Sequence, residues 1–254
     1  VMKATPTGSK ARGGSALALE RPELSPPGTR TINMSEIGRV LNDATLAPPV
    51  KALFVYNSNP AVICPDSAAV RAGLARDDLF TVVADHVPTE TVAFADVVLP
   101  ATTQLEHLDV LWSWGHRYLT MNWPAIAPVG QARPNTEIFR LLAARMGLDD
   151  PIFKETDEQL AAQAFDKNDA KAIHFDWESL KRKGWQKLNM PAAPFAEGGF
   201  PTPSGKCEFY SEALQRIGVD PLPDYVPPNE GPTSNPDLAR RFPLAMISPP
   251  ARNF

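Results

Sequence analysis

Cysteine is scarce. The 254-residue chain has two, Cys64 and Cys207, far apart and in no Cys-x-x-Cys pattern. Iron–sulfur clusters need about four thiolates, so none is expected on this chain. Net charge is also small. A formal charge of -4 and an isoelectric point near 5.6, without any basic stripe, argue against nucleic acid and anionic membranes as partners. No apolar run reaches the length of a membrane span. The opening Val1-Met2-Lys3-Ala4 lacks a signal-peptide core and suits a cut fragment. The compartment is therefore left open, with the cytoplasm slightly favoured. Gly-x-Gly-x-x-Gly, Walker and Gly-x-Ser-x-Gly motifs are all missing.

Proline, by contrast, is abundant: 27 residues, clustered at 21–27, 47–49, 189–203 and 221–236. Such segments continue neither helices nor central strands and read as ordered crossings or exposed loops. The 43% hydrophobic content is that of an ordinary soluble protein, and the length can bury a substantial core.

The organising stretch is residues 80–104, where two short apolar runs each break into a polar loop. Thr81-Val82-Val83-Ala84 and Val97-Val98-Leu99, with the earlier Ala52-Leu53-Phe54-Val55-Tyr56, are aliphatic or β-branched without alternation, as in strands buried on both faces of a parallel sheet. A helix-like segment from Asp66 to about Ala75 separates the first two, giving a βαβ unit. Ligands of open parallel sheets sit outside the carboxyl ends of the strands. That directs attention to Asn57-Ser58-Asn59-Pro60-Ala61, to residues 85–91 and to Pro100-Ala101-Thr102-Thr103.

Further helices are expected from Ser35 as cap to about Asn42, from Asn135 as cap to Met146 with Gly147 closing it, from the capping box Thr156-Asp157-Glu158-Gln159 to about Phe165, from Asp176 to Gly184, and over residues 211–217. Residues 102–123 read as an irregular aromatic patch or lid, and residues 200–210 as a tight turn into a short strand.

These segments carry a resemblance that periodicity does not supply. Asn57-Ser58-Asn59-Pro60-Ala61 after a strand, Asp85-His86-x-x-Thr89-Glu90-Thr91 continuing to Ala95-Asp96-Val97-Val98-Leu99-Pro100-Ala101 with Glu106, and Pro203-Ser204-Gly205-Lys206-Cys207-Glu208-Phe209 together resemble the molybdopterin oxidoreductases of the dimethyl sulfoxide reductase type. That group includes formate dehydrogenases, nitrate reductases and thiosulfate or polysulfide reductases. The resemblance implies a bis(molybdopterin guanine dinucleotide) cofactor with molybdenum, an iron–sulfur cluster only in a missing N-terminal part of the parent, and an internal fragment that is inactive alone. Its implied partners are the cofactor, the remaining domains of the parent and an iron–sulfur electron-transfer subunit.

The implied cofactor-binding residues are Asn57, Asn59, Pro60, Asp85, His86, Thr89, Glu106 and His107. Asp85 is either a carboxylate matched to guanine's two donors or a turn cap, and Asn57 and Asn59 either donate to phosphate or ribose or hold an Asx-turn. Asp96 reads as structural, and Thr89 and Thr91 as caps. His107 stands where relatives often carry Lys, which removes a permanent charge. No catalytic or metal-ligating residue is expected here, since His86, His107 and His116 lack helical ligand spacing and the resemblance puts the molybdenum ligand upstream.

The expected architecture is α/β: a parallel-sheet βαβ, Rossmann-like core with added helices and Pro-rich loops. Residues 1–30 form an extended or disordered arm, 31–150 the guanine-dinucleotide-binding domain, 151–240 a helical and Pro-rich completion, and 241–254 the first strand of a truncated C-terminal β-barrel. Two other readings stay open: a stand-alone nucleotide or small-molecule binding module without redox chemistry, and a metal-dependent hydrolase built on the histidines.

Overall fold

A computed structural model describes residues 3–5, 27–112, 116–163, 176–187, 193, 195–222 and 224–246. The chain divides into two compact units, residues 1–190 and 191–254.

The first unit is built on three parallel strands in the order β3 (Ala52–Tyr56), β4 (Phe80–Asp85), β5 (Val97–Pro100). Between β3 and β4 lie a single turn α2 (Pro60–Ile63) and the helix α3 (Ser67–Leu74), so the expected βαβ unit is present. Asp66 caps α3 from the left-handed region (φ 53) by accepting the Ala69 N–H at 3.2 Å. Asp96 plays its structural part: its carboxylate accepts the Thr81 N–H at 2.7 Å, pinning the entry of β5 to β4.

One sheet face packs on α3 and on α1 (Ile37–Leu41), burying Val40, Leu41, Ala61, Val70, Leu74 and Leu79. The two helices approach at glycines. A Cβ at Gly73 would lie 2.5 Å from the Leu41 Cβ, and one at Gly38 3.1 Å from the Ala69 Cβ. The cap of this first helical segment is Asn33, whose side chain accepts the Ser35 N–H, not Ser35 itself. Ser35 sits inside a 3-10 turn, Met34–Glu36, that precedes α1.

Burial on both sheet faces is not met. Phe54, Phe80 and Val98 are 37%, 52% and 48% exposed. Among the described residues the second face is approached by α4 (Asn135–Arg145), whose Phe139 ring lies 5.6 Å from Phe54 and 5.2 Å from Tyr56. A single helix does not cover three strands.

The stretch expected to be irregular instead forms a small antiparallel sheet, β6 (Asp109–Trp112), β7 (Tyr118–Asn122) and β8 (Trp185–Lys187). Leu119 of β7 is buried with Leu180 of α6 (Trp177–Lys183), which ends at the left-handed Gly184. The capping box opening α5 (Asp157–Gln163) forms reciprocally, Thr156 N–H to Gln159 Oε1 at 2.8 Å and Gln159 N–H to Thr156 Oγ1 at 3.2 Å. Near the amino terminus, β1 (Lys3–Thr5), within the segment expected as an arm, pairs in parallel with β2 (Thr31–Asn33) just beyond it.

Among its described residues the second unit holds two short helices. Ser211 caps α7 (Glu212–Arg216) and Asn235 caps α8 (Pro236–Arg241). The turn at residues 200–205 forms, with Phe200 N–H on the Gly205 carbonyl at 3.1 Å. No strand follows it: residues 206–210 pair with no neighbouring strand. Residues 242–246, at the expected barrel strand, likewise carry no strand, and the rest of that segment lies outside the described residues. A strand is defined by a hydrogen-bonded neighbour, and these segments have none among the described residues.

Candidate functional site

The carboxyl ends of β3, β4 and β5 open onto a cleft of about 480 Å³. Its wall is made by Asn57 after β3, His86 after β4, Thr102 and His107 after β5, Asp109 of β6 and the start of α4 at Pro134 and Asn135. Leu108, Leu111 and Tyr56 supply its apolar part. That is the position where open parallel sheets bind ligands.

Asn57 turns the chain out of β3 in the left-handed region (φ 47), which asparagine tolerates better than most residues. Its N–H bonds the Ala84 carbonyl at 3.2 Å and its Oδ1 accepts from Asn135 Nδ2 at 3.3 Å. Asn135 is thus the first residue of α4 and not its cap. Pro134 holds the cap position and supplies no side-chain bond, so the amino end of α4 meets the cleft with its first amides uncapped. Asn135 Oδ1 is buried and unpaired.

His86 is half-exposed in the cleft, with Nδ1 3.2 Å from Asp85 Oδ1. Asp85 itself lies behind the wall. Its side chain is 7% exposed and its Oδ1 also accepts the His86 N–H at 2.8 Å. His107 Nδ1 is 2.9 Å from Thr102 Oγ1. Beneath it Glu106, 7% exposed, accepts from Thr103 N–H and Oγ1, both at 2.8 Å, and from Val129 N–H at 2.6 Å. Those amide and hydroxyl donors hold the Glu106 carboxyl below the usual carboxylate range.

The remaining expected residues form a brace beside the cleft. Asn59 Oδ1 accepts the Thr91 hydroxyl at 2.7 Å and the Thr91 N–H at 3.3 Å, while its Nδ2 donates to Glu90 Oε2 at 2.7 Å. Thr91 Oγ1 in turn accepts the N–H of Ala61 at 3.2 Å. Pro60 is buried as the first residue of α2, and Thr89 precedes the 3-10 turn Glu90–Phe94 without a capping side-chain bond.

Of the eight residues expected at the site, the cleft therefore gathers Asn57, His86 and His107, while Asn59, Pro60, Asp85, Thr89 and Glu106 do not line it. Asn135, Asp109 and Asp157 line it as well and were missed as site residues. In sequence Asn135 reads only as a cap, and no local signal marks the other two, which arrive through the fold-back of β6 and α5. Asp157 is held by Arg140 of α4. Among the described residues, no three His, Cys, Asp or Glu side chains gather as a metal set, so the hydrolase reading gains no support.

A parallel βαβ unit on a three-stranded sheet, with a polar cleft at its strand ends, defines a mixed α/β fold. The molybdopterin oxidoreductase family model matches residues 11–145, just over half of the 254 residues, and the chain belongs to that family. It is 44% identical over 212 residues to "Probable oxidoreductase YoaE" of Bacillus subtilis (strain 168), spanning 83% of this chain and 31% of that protein. It is 26% identical over 239 residues to dimethyl sulfoxide/trimethylamine N-oxide reductase of Cereibacter sphaeroides, spanning 85% of this chain and 29% of that one. Among solved structures, acetylene hydratase from Pelobacter acetylenicus superposes with a TM-score of 0.65 at 30% identity, covering 85% of this chain and 29% of that chain. The chain thus spans about a third of the length of these relatives. A stand-alone binding module is not favoured by these matches.

Proposed function

We propose that this chain is the α/β portion of a molybdenum-dependent oxidoreductase, and that its cleft holds one guanine nucleotide end of bis(molybdopterin guanine dinucleotide). Residues 31–150 carry the site and 151–240 complete the region. The parent's iron–sulfur cluster and its electron-transfer partner belong to other parts of the assembly.

The observation that carries this reading is the unpaired, buried Asn135 Oδ1 at a polar cleft on the strand ends. A buried polar atom without a partner costs free energy unless a ligand or water meets it. Its volume is within the range of small-molecule sites, roughly 300–1,000 Å³. Asn57, His86, His107 and Asn135 would contact the nucleotide, and the uncapped amino end of α4 suits its phosphates. Asn59, Pro60, Thr89 and Glu106 would act by shaping the loops. Bound molybdenum supplies the oxygen-atom or electron transfer, while this chain binds and orients. None of its residues is assigned to the chemical step.

Base selection falls to Asp85, whose carboxylate matches guanine's two donors; the side chain lies behind the cleft wall and holds the His86 N–H, so the base reaches it past the His86 ring. Losing such a pair costs on the order of 2–5 kcal/mol. Calorimetry of GDP and ADP with the wild type and with Asp85→Ala and Asp85→Asn tests this. Wild type should prefer GDP, and both variants should bind it about 30-fold or more weakly. Equal GDP affinity in all three makes Asp85 a turn residue, and no GDP preference in the wild type removes the guanine reading.

A further inference from the structure

We propose that Asp157 and Asn135 hold the ribose hydroxyls of the ligand and so select a ribonucleotide over its deoxy form; this rests on the nucleotide reading of the cleft. On the side where α4 and α5 begin, the cleft wall offers acceptors. Asn135 donates Nδ2 to Asn57 Oδ1 at 3.3 Å, which leaves its buried Oδ1 as an unpaired acceptor. Asp157 lines the same cleft with a carboxylate, which only accepts when ionised. A phosphate brings acceptor oxygens of its own and does not suit such a pair. Guanine's donors are assigned to Asp85, so the ribose, with two neighbouring O–H groups, is the donor pair that remains. In dinucleotide-binding α/β folds an acidic side chain takes a ribose hydroxyl in the same way.

Helix α4 brings the two acceptors together. Thr136 lines the cleft and Arg140 lies four residues on, so both stand on one face of the helix. Helical side chains lean toward the amino end, which carries the Arg140 guanidinium back toward the cleft. There its Nη2 donates to Asp157 Oδ1, in a pair whose side chains are 23% and 25% exposed. Asp157 is the first residue of α5, and the Thr156–Gln159 capping box fixes its backbone. The carboxylate is thus held by α4 and α5 together. Arg140 takes Oδ1, and Oδ2 is the oxygen assigned to the ribose.

The ion pair also suits the neighbouring phosphates. Arg140 offsets the Asp157 charge, so this carboxylate accepts hydroxyls without setting a net negative charge beside them. The uncapped amides of α4 and the Asn135 Oδ1 lie at one helix end, so phosphate and ribose, neighbours in a nucleotide, meet donors and an acceptor side by side. Asp109 also lines the cleft, but it is exposed and its Oδ1 accepts the Val110 N–H at 2.7 Å, so a hydroxyl bond there competes with water and selects weakly.

The test is calorimetric titration of GDP and of 2′,3′-dideoxy-GDP into the purified chain. Wild type should bind GDP about tenfold or more tightly than the dideoxy form, which leaves both acceptors unmet. Asp157→Asn keeps the size of the side chain and an acceptor for Arg140 but loses the charge. The preference should then fall by about threefold or more, with dideoxy-GDP affinity unchanged. A merely structural Asp157 would weaken both ligands alike. A readout that needs no variant is the Asn135 side-chain amide resonance, which should move further with GDP than with dideoxy-GDP. Equal wild-type affinity for the two ligands overturns the proposal, as does an Asp157→Asn chain that keeps the full preference. If Asp157→Asn instead loses only the preference for GDP over ADP, Asp157 is the base contact and the ribose assignment falls. GDP binding without ribose discrimination removes the ribose assignment alone, whereas the absence of any GDP binding removes the nucleotide reading of the cleft.

Discussion

Asn59→Ala should destabilise the chain in the absence of any ligand, although Asn59 belongs to the expected cofactor-binding set. Its amide is the meeting point of two loops: Oδ1 accepts the Thr91 N–H and hydroxyl, and Nδ2 reaches Glu90. Thr91 is fully buried, so truncation leaves its backbone donor without its acceptor. An orphaned buried donor costs about 1–3 kcal/mol. The hydroxyl can turn away, so the expected loss is about 2 kcal/mol, in the middle of that range. Urea unfolding followed by circular dichroism should show a lower midpoint with an unchanged slope. A double-mutant cycle isolates the pair. In a Thr91→Val background the same Asn59→Ala change should cost less, by a coupling of roughly 0.5–1.5 kcal/mol. Unchanged stability of Asn59→Ala, or full additivity with Thr91→Val, would show that the brace contributes nothing and return Asn59 to the role of a ligand contact.

Two further outcomes follow from the same geometry. Gly73→Ala adds a carbon 2.5 Å from the Leu41 Cβ; overpacking of about 1–3 kcal/mol outweighs the roughly 1 kcal/mol gain in helix propensity, so its thermal midpoint should fall, and a rise would contradict the close α1–α3 approach. Glu106, held below the ordinary carboxylate range by the Thr103 and Val129 donors, contributes stability that is present above that range and lost as pH falls through its lowered folded value; Glu106→Gln should therefore flatten the acid limb of stability against pH, and an identical acid limb would refute it.

The sheet was legible because its strands are continuous aliphatic runs and its helix carries a cap at Asp66. The motif residues were legible as a group, but their roles were not. Asp85, Glu106 and Asn59 look like ligand contacts in sequence because all are polar and near strand ends, yet each spends its hydrogen bonds on neighbouring backbone or loop groups. Which polar atoms remain unpaired depends on tertiary partners. Asn135 illustrates this: it reads as a cap, but Pro134 takes that place and frees its amide to meet Asn57 across the cleft. The β6–β7–β8 sheet was hidden for a related reason. Its third strand comes from residues 185–187, more than sixty positions after β7, and long-range pairing leaves no local signature.

The most direct test of the central claim is amide NMR mapping of GDP on the isotopically labelled chain. Saturable shifts are expected at Asn57, His86, Thr102, His107 and Asn135, the cleft at the ends of β3, β4 and β5, with ADP producing weaker changes at the same positions. Saturable shifts elsewhere, such as the opposite face around Leu41, Arg76 and Asp78, or no saturable shifts at all, would contradict it.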